Sequence, residues 1–188
     1  MRVLVTGANG FLGSHLVDLL LAGGDAEVRV LVRSSSDLRW LEGKPVEQVL
    51  GDVTAPPSEL AQAVAGIDLV FHVAGATKAL DRRSYYEINQ RGTQRLLLAC
   101  AARTTPPSRF VLVSSAGAAG PSRTVRPLRE DDPPRPVTVY GRSKLAAELV
   151  ARAFMRRLPI TIVRPGAIYG PRDPELLPAY EAVQRGVA

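Results

Sequence analysis

The chain has 188 residues, 46% hydrophobic side chains and a formal net charge of +6, which is the size and apolar content of one domain able to bury a core. One cysteine, Cys100, and two histidines exclude a disulfide framework and a zinc cluster, so no metal site is expected. The positive charge is mostly scattered arginine, with lysine only at positions 44, 78 and 144, and no apolar run reaches the ~18 residues of a membrane span, so neither nucleic acid nor a membrane is an expected partner and a cytoplasmic location is expected.

The apolar run at 2–5 predicts a first strand, followed at once by "TGANGFLG" (6–13) and a helix over about 11–22. In a turn between a strand and a helix, Gly7 supplies tight curvature, Gly10 lets backbone approach a ligand and Gly13 lets the helix pack closely on the strand. The free N–H groups at the helix start then face a pyrophosphate. The spacing is G-x-x-G-x-x-G rather than the more familiar G-x-G-x-x-G.

A second strand is predicted at 27–32. It ends on Val32, where an NAD site usually places a carboxylate, and Arg33, Ser34 and Ser35 follow. An arginine there can pair with a 2′-phosphate, so NADP is the expected cofactor and NAD the alternative. A short helix near 37–42, a strand at 46–50, a helix at 58–65 and a strand at 68–73 come next.

A long helix is expected over 83–103. Tyr85, Asn89, Gly92, Leu96 and Cys100 fall on one stripe of it, so Cys100 reads as core and Asn89 as a polar interruption. Two roles stand open for that amide, a backbone contact and an active-site contact. The fifth strand, 109–114, ends in Ser114-Ser115, and hydroxyls at strand C-termini of open α/β sheets can meet a reacting carbonyl.

Residues 116–138 contain five prolines and read as a structureless connection, a candidate lid or substrate loop. A helix over 140–157 opens with "YGRSK", placing Tyr140 and Lys144 one turn apart on one face. An ammonium near a phenol favours phenolate, which suits general acid/base work on an alcohol or ketone, although the pair by itself more often means a tyrosine packed on a helix beside a solvated lysine. A sixth strand at 160–164, a Pro/Gly-rich connection at 164–178 and a helix from about 174 complete the pattern. Six strands without clean alternation, separated by helices, predict a doubly wound parallel α/β sheet covered on both faces.

These motifs, in this order, resemble the extended short-chain dehydrogenase/reductase family along essentially the whole chain. "TGANGFLG" resembles its T-G-x-x-G-F-[LI]-G turn, "GDVT" (51–54) its adenine-binding motif, and "HVAGAT" (72–77) its cofactor-facing turn after strand four. "INQRGTQRLL" (88–97) resembles its N-x-x-G-T helix and "RPGAIYGP" (164–171) its R-P-x-x-x-Y-G-P turn.

The resemblance implies a Rossmann NAD(P)-binding domain over 1–188, with much of a substrate-binding part lying outside these residues. It implies catalytic roles for Ser115, which precedes Gly120 by five positions, for Tyr140 and Lys144, and an active-site contact for Asn89. It places the cofactor against Gly7, Asn9, Gly10, Phe11, Leu12 and Gly13, against Arg33, Asp52 and Val53, and against Ala74, Gly75, Ala76, Lys144 and Pro165.

The dehydratases of that family carry an acidic pair after the catalytic hydroxyl, where this chain has Ala116-Gly117. Its epimerases usually have tyrosine where this chain has Ala119. "SSAGAAG" is closer to the ketone-reducing branch, similar to dihydroflavonol reductases and hydroxysteroid dehydrogenases. The expected activity is therefore hydride transfer to a small-molecule ketone or aldehyde, or from the alcohol. A nucleotide-sugar epimerase and a non-catalytic dinucleotide sensor are the alternatives, and a homodimer through the helices at 83–103 and 140–157 is the expected assembly.

Overall fold

The computed structural model describes residues 1–187. Six strands form one sheet in the order β3-β2-β1-β4-β5-β6: β1 (Arg2–Thr6), β2 (Glu27–Val32), β3 (Val46–Leu50), β4 (Leu69–His72), β5 (Arg109–Val113) and β6 (Ile160–Val163). All neighbouring pairs are parallel. This is the doubly wound sheet that the strand–helix alternation predicts, and its order reverses between β1 and β4, the switch point at which such sheets bind ligands.

Among the described residues seven α-helices connect or follow the strands: α1 (Phe11–Ala22), α2 (Ala61–Val64), α3 (Arg82–Tyr85), α4 (Thr93–Ala101), α5 (Ala116–Ala119), α6 (Val139–Phe154) and α7 (Leu177–Gln184). Successive strand side chains point to opposite faces, and here both faces are apolar. Val3, Val5, Val28, Val30 and Val32 pack with Val17 of α1 and Leu41 on one side. Leu4, Leu31, Val70, Phe110 and Leu112 pack with Leu60 and with Leu96, Leu97, Cys100, Ala147 and Ala151 of α4 and α6 on the other. That double burial is why the strand runs lack alternation. Cys100 is core, with burial pushing its thiol up to about 12.

Four connections differ from expectation. Residues 37–42 form turns, not a helix. The Asp37 carboxylate accepts from the Arg39 N–H two residues on (3.0 Å), a local bond that competes with helical pairing, and Gly43 follows in the left-handed region (φ 69°). The helix expected at 58–65 contracts to α2, because it ends against Gly66 at φ 69° and is preceded by turns whose N–H groups reach back three residues.

The helix expected at 83–103 is helical from Arg82 to Ala101, but Tyr86–Gly92 is π-helical. A π-turn widens the ring by one residue and displaces everything after it around the axis, which hydrophobic periodicity cannot register. The connection expected to be structureless over 116–138 begins with α5, one turn capped by Ser115, whose Oγ accepts from Gly117 N–H at 3.0 Å. Among the described residues no helix is long and apolar enough to cross a membrane, and no group of three or more His, Cys, Asp or Glu side chains is placed to hold a metal.

Candidate functional site

A cleft of about 930 Å³ opens along the C-terminal ends of the strands. Its floor is the turn between β1 and α1. Gly7 takes φ 70°, and a Cβ there would sit 2.7 Å from the Ala74 nitrogen, so the β1 and β4 ends touch backbone to backbone. A Cβ on Gly13 would overlap the Gly7 carbonyl oxygen. Gly10 caps α1 without a side-chain bond, and no acidic residue occupies the first turn. The first N–H groups of α1 are therefore open to an anion, with the helix dipole behind them.

Each predicted cofactor residue lines this cleft: Gly7, Asn9, Gly10, Phe11, Leu12 and Gly13 at the turn, Arg33, Asp52 and Val53 toward β2 and β3, and Ala74, Gly75, Ala76, Lys144 and Pro165 toward β4 to β6. The Asp52 Oδ1 accepts from Thr54 N (2.8 Å) and Thr54 Oγ1 (2.9 Å), which fixes that carboxylate at the wall. The Arg33 backbone N–H donates to Ser36 Oγ (3.1 Å), and no ion pair engages the Arg33 guanidinium among the described residues.

Ser115, Tyr140 and Lys144 line the same cleft. Thr138 caps α6 through Gly141 N–H (2.9 Å), so Tyr140 sits in its first turn and Lys144 one turn later. A Cβ on Gly117 would lie 3.3 Å from Ser115 Oγ and 3.7 Å from the Tyr140 ring, which brings those two side chains to one small space. Gly141 packs directly on the Gly117 carbonyl, so α5 and α6 meet backbone to backbone, and the Tyr85 ring stands edge-on to Tyr140 at 6.3 Å.

Lys144 Nζ donates to Val113 O (2.7 Å). Burial pulls its ammonium down to about 8, against the opposing charge of Glu148. Ser114 differs from its neighbour. Its hydroxyl donates to the fully buried Glu148 (2.5 Å), which also accepts two bonds from Arg164 at 2.9 and 2.6 Å. That triad clamps the ends of β5 and β6 to α6.

Asn89 does not line the cleft. Its side chain is 1% exposed, accepts from Ala76 N (2.8 Å), and donates to Ala76 O (3.1 Å) and Ser143 Oγ (2.8 Å). Of its two open roles, the geometry realises the backbone contact. Thr77, within the turn expected to face the cofactor, lines the cleft as well; sequence reasoning missed Ser36, Lys78 and the stretch Asp173–Leu176, which also line it. Thr77 Oγ1 donates to Glu175 Oε1 at 2.8 Å across a separation of 98 residues, and no local pattern announces such a contact.

An open doubly wound sheet with a glycine cradle for an anion at its switch point defines a dinucleotide-binding fold. Residues 3–183 match the family model described as the NAD dependent epimerase/dehydratase family, and the chain belongs to that family. It is 37% identical over 178 residues to sterol demethylase protein B of Methylococcus capsulatus, covering 92% of this chain and 53% of that protein. It is 36% identical over 183 residues to the ceramide reductase of Caulobacter vibrioides, covering 97% and 51%. The crystal structure of dTDP-glucose 4,6-dehydratase from Streptomyces venezuelae with NAD bound superposes with a TM-score of 0.87 at 31% identity, covering 99% of this chain and 63% of that one. The chain thus spans about half the length of the curated relatives it matches.

Proposed function

We propose that the protein is an NAD(P)-dependent oxidoreductase that interconverts a ketone or aldehyde and its alcohol. The observation that carries this reading is that Ser115, Tyr140 and Lys144 share one cleft with the glycine turn and the open α1 N-terminus. The cradle fits a dinucleotide, because Gly7 and Gly13 let β1, β4 and α1 close up backbone to backbone behind it and no side chain competes for the helix N–H groups. A bound nicotinamide supplies or takes the hydride. Ser115 Oγ holds the substrate oxygen, Tyr140 gives that oxygen a proton during reduction and takes it back during oxidation, and Lys144 holds positive charge beside the phenol. Asn89, behind the wall, positions Ala76 and Ser143 rather than touching substrate.

A ketone is favoured over a sugar nucleotide by Ala116-Gly117 and Ala119, which replace residues that dehydratases and epimerases of the resembling family carry. Ceramide reductase and sterol demethylase protein B as relatives point the same way, toward an apolar substrate. We place NADP ahead of NAD because Arg33 is free to pair with a 2′-phosphate while Val32 leaves no carboxylate to hold a 2′-hydroxyl. The exposed Leu98 of α4 and Leu149 of α6 are the surface proposed for a homodimer.

The test is Tyr140→Phe in the active protein. Turnover should fall by ~10²–10⁴-fold with dinucleotide affinity near the wild-type value; near-normal turnover rejects the mechanism. Arg33→Ala should weaken NADP binding about tenfold and NAD binding little, as loss of one charge-assisted contact does; equal losses reject the cofactor preference.

A further inference from the structure

Behind the cleft floor lies a line of fully buried polar side chains on four separate elements: Thr6 at the end of β1, His72 at the end of β4, Asn89 in the π-helical turn and Thr93 at the start of α4. Thr6, His72 and Thr93 do not line the cleft. Ala74 N–H donates to Thr6 Oγ1 (3.2 Å), Thr6 Oγ1 meets His72 Nδ1 (2.7 Å), His72 Nε2 meets Thr93 Oγ1 (3.0 Å), and Thr93 Oγ1 donates to Asn89 O (2.6 Å).

The direction of every proton in this line follows from valence. A carbonyl only accepts, so the single hydroxyl proton of Thr93 goes to Asn89 O, and Thr93 must accept from the imidazole. Nε2 therefore carries a proton. Burial holds His72 neutral, pushing it down to about 3, so Nδ1 is bare and accepts the hydroxyl proton of Thr6. The Thr6 oxygen is then left as an acceptor for Ala74 N–H. The line continues past Asn89, whose amide holds both backbone groups of Ala76 and donates to Ser143 Oγ, which donates to Tyr140 O at 2.7 Å. No donor along it lacks an acceptor.

We propose that His72, held as the Nε2–H tautomer, is a positioning residue that ties the dinucleotide cradle at Thr6 and Ala74 to the π-helical turn, and through Asn89 and Ser143 to the backbone of Tyr140. Its functional half rests on the proposed dinucleotide cleft; its structural half does not. Removing the acceptor at the Thr93 end disturbs the line whichever way the ring responds. An Nε2–H left in place would be a buried donor without a partner, so the ring turns toward another acceptor or passes its proton to Nδ1, and both responses disturb the Thr6 contact. If the proton moves to Nδ1, that nitrogen donates to Thr6 Oγ1 and the Thr6 hydroxyl proton loses its acceptor, so the disturbance travels to Ala74, on the cleft wall.

The experiment is Thr93→Val, which keeps the shape and deletes the hydroxyl, with Thr93→Ser as the rescue. Amide hydrogen exchange at Ala74, across the imidazole from the substitution, should quicken about tenfold in Thr93→Val and return to the wild-type rate in Thr93→Ser, as expected for one lost buried bond. An unchanged Ala74 rate overturns the coupling. In the wild-type protein, ¹⁵N spectra of the imidazole should show a protonated Nε2 and a bare Nδ1, a measurement that no folding defect can blur; the opposite tautomer also overturns it. NADPH and NADH titrations should show affinity about tenfold weaker in Thr93→Val and restored in Thr93→Ser. If the wild-type protein binds neither dinucleotide, the proposed function fails while the exchange and tautomer results still decide the coupling. If it binds and Thr93→Val binds equally well, the positioning role fails on its own.

Discussion

The turn after β1 and the segment after β6 line the same cleft, yet they are held by different means. Gly7, Gly10 and Gly13 form a wall of backbone, and at Gly7 and Gly13 the contacts are backbone atoms of β1, α1 and β4 at distances that leave no room for a Cβ. Residues 165–176 instead reach the cleft by side-chain clasps to distant elements. His15 Nε2–H donates to Pro171 O (2.9 Å), Arg172 pairs with Asp18 (2.8 Å) and lies 5.0 Å from the Trp40 ring centre, and Glu175 takes the Thr77 hydroxyl. Backbone walls are specified by residues that lack side chains and tolerate no substitution. Clasped walls are specified by pairs that can be weakened one at a time.

The largest effect is expected at the first wall. Gly13→Ala would drive a methyl into the Gly7 carbonyl, 2.9 Å from Ala8 Cα, and both neighbours are backbone that cannot rotate aside. Helix α1 must lift off β1. We expect about 3 kcal/mol of lost stability, the upper part of the usual overpacking range, together with loss of dinucleotide binding, read by thermal unfolding and calorimetry. A Gly13→Ala protein with the wild-type Tm and affinity would erase the distinction between the walls.

A smaller effect comes from pH, again at the first wall, because Thr6 is held by His72. Unfolded, this imidazole takes a proton near its ordinary value of 6.5; folded, burial first and the Lys144 charge second push it down to about 3. Between those values the unfolded chain binds the extra proton. Stability from this group is whole above pH 6.5 and drains as pH falls toward 3, at about 1.4 kcal/mol per pH unit, so about 2 kcal/mol is lost by pH 5. Denaturant titrations of wild-type and His72→Gln proteins at pH 7, 6 and 5 should differ by that slope. Parallel pH dependence in the two proteins would mean that His72 is already protonated in the fold.

Legibility in the sequence follows the same division. The inner strands were readable because burial on both faces writes an apolar run, the edge strands β3 and β6, with at most one buried residue each, through their Val, Leu and Ile content, and the glycine turn because a missing Cβ is itself a residue type. Ser115, Tyr140 and Lys144 were readable only through the family resemblance, since their spacing alone also fits a turn-capping serine and a packed tyrosine beside a lysine; the cleft gathers them. The turn at 37–42 was misread because Leu38 and Leu41 give a helical spacing while the Asp37 side chain closes a tighter local bond. The π-turn at Tyr86–Gly92 and the arrival of Glu175 at Thr77 left no local trace, since the first keeps helical composition and the second joins residues 98 apart.

The smallest expected effect belongs to the second wall, at Arg172, the one non-glycine residue with positive φ among the described residues (69°). Its side chain contributes an ion pair to a one-third-exposed Asp18 and a stack on Trp40, each worth up to about 1 kcal/mol. Its left-handed backbone costs about 1–2 kcal/mol that a glycine would not incur. The two substitutions Arg172→Ala and Arg172→Gly therefore separate clasp from strain. Alanine removes the contacts and keeps the strain, so stability should fall by about 1 kcal/mol. Glycine removes the contacts and the strain together, so it should regain about half of that loss, allowing for its greater freedom in the unfolded chain. Added salt should narrow the gap between wild type and alanine, since part of it is an ion pair open to solvent. A glycine variant less stable than alanine, by the cost of its extra freedom in the unfolded chain, would show that the backbone at 172 stores no strain. A loss at Arg172→Ala as large as that of Gly13→Ala would show that the clasped wall is as rigidly specified as the backbone wall, and the contrast between the two would not stand.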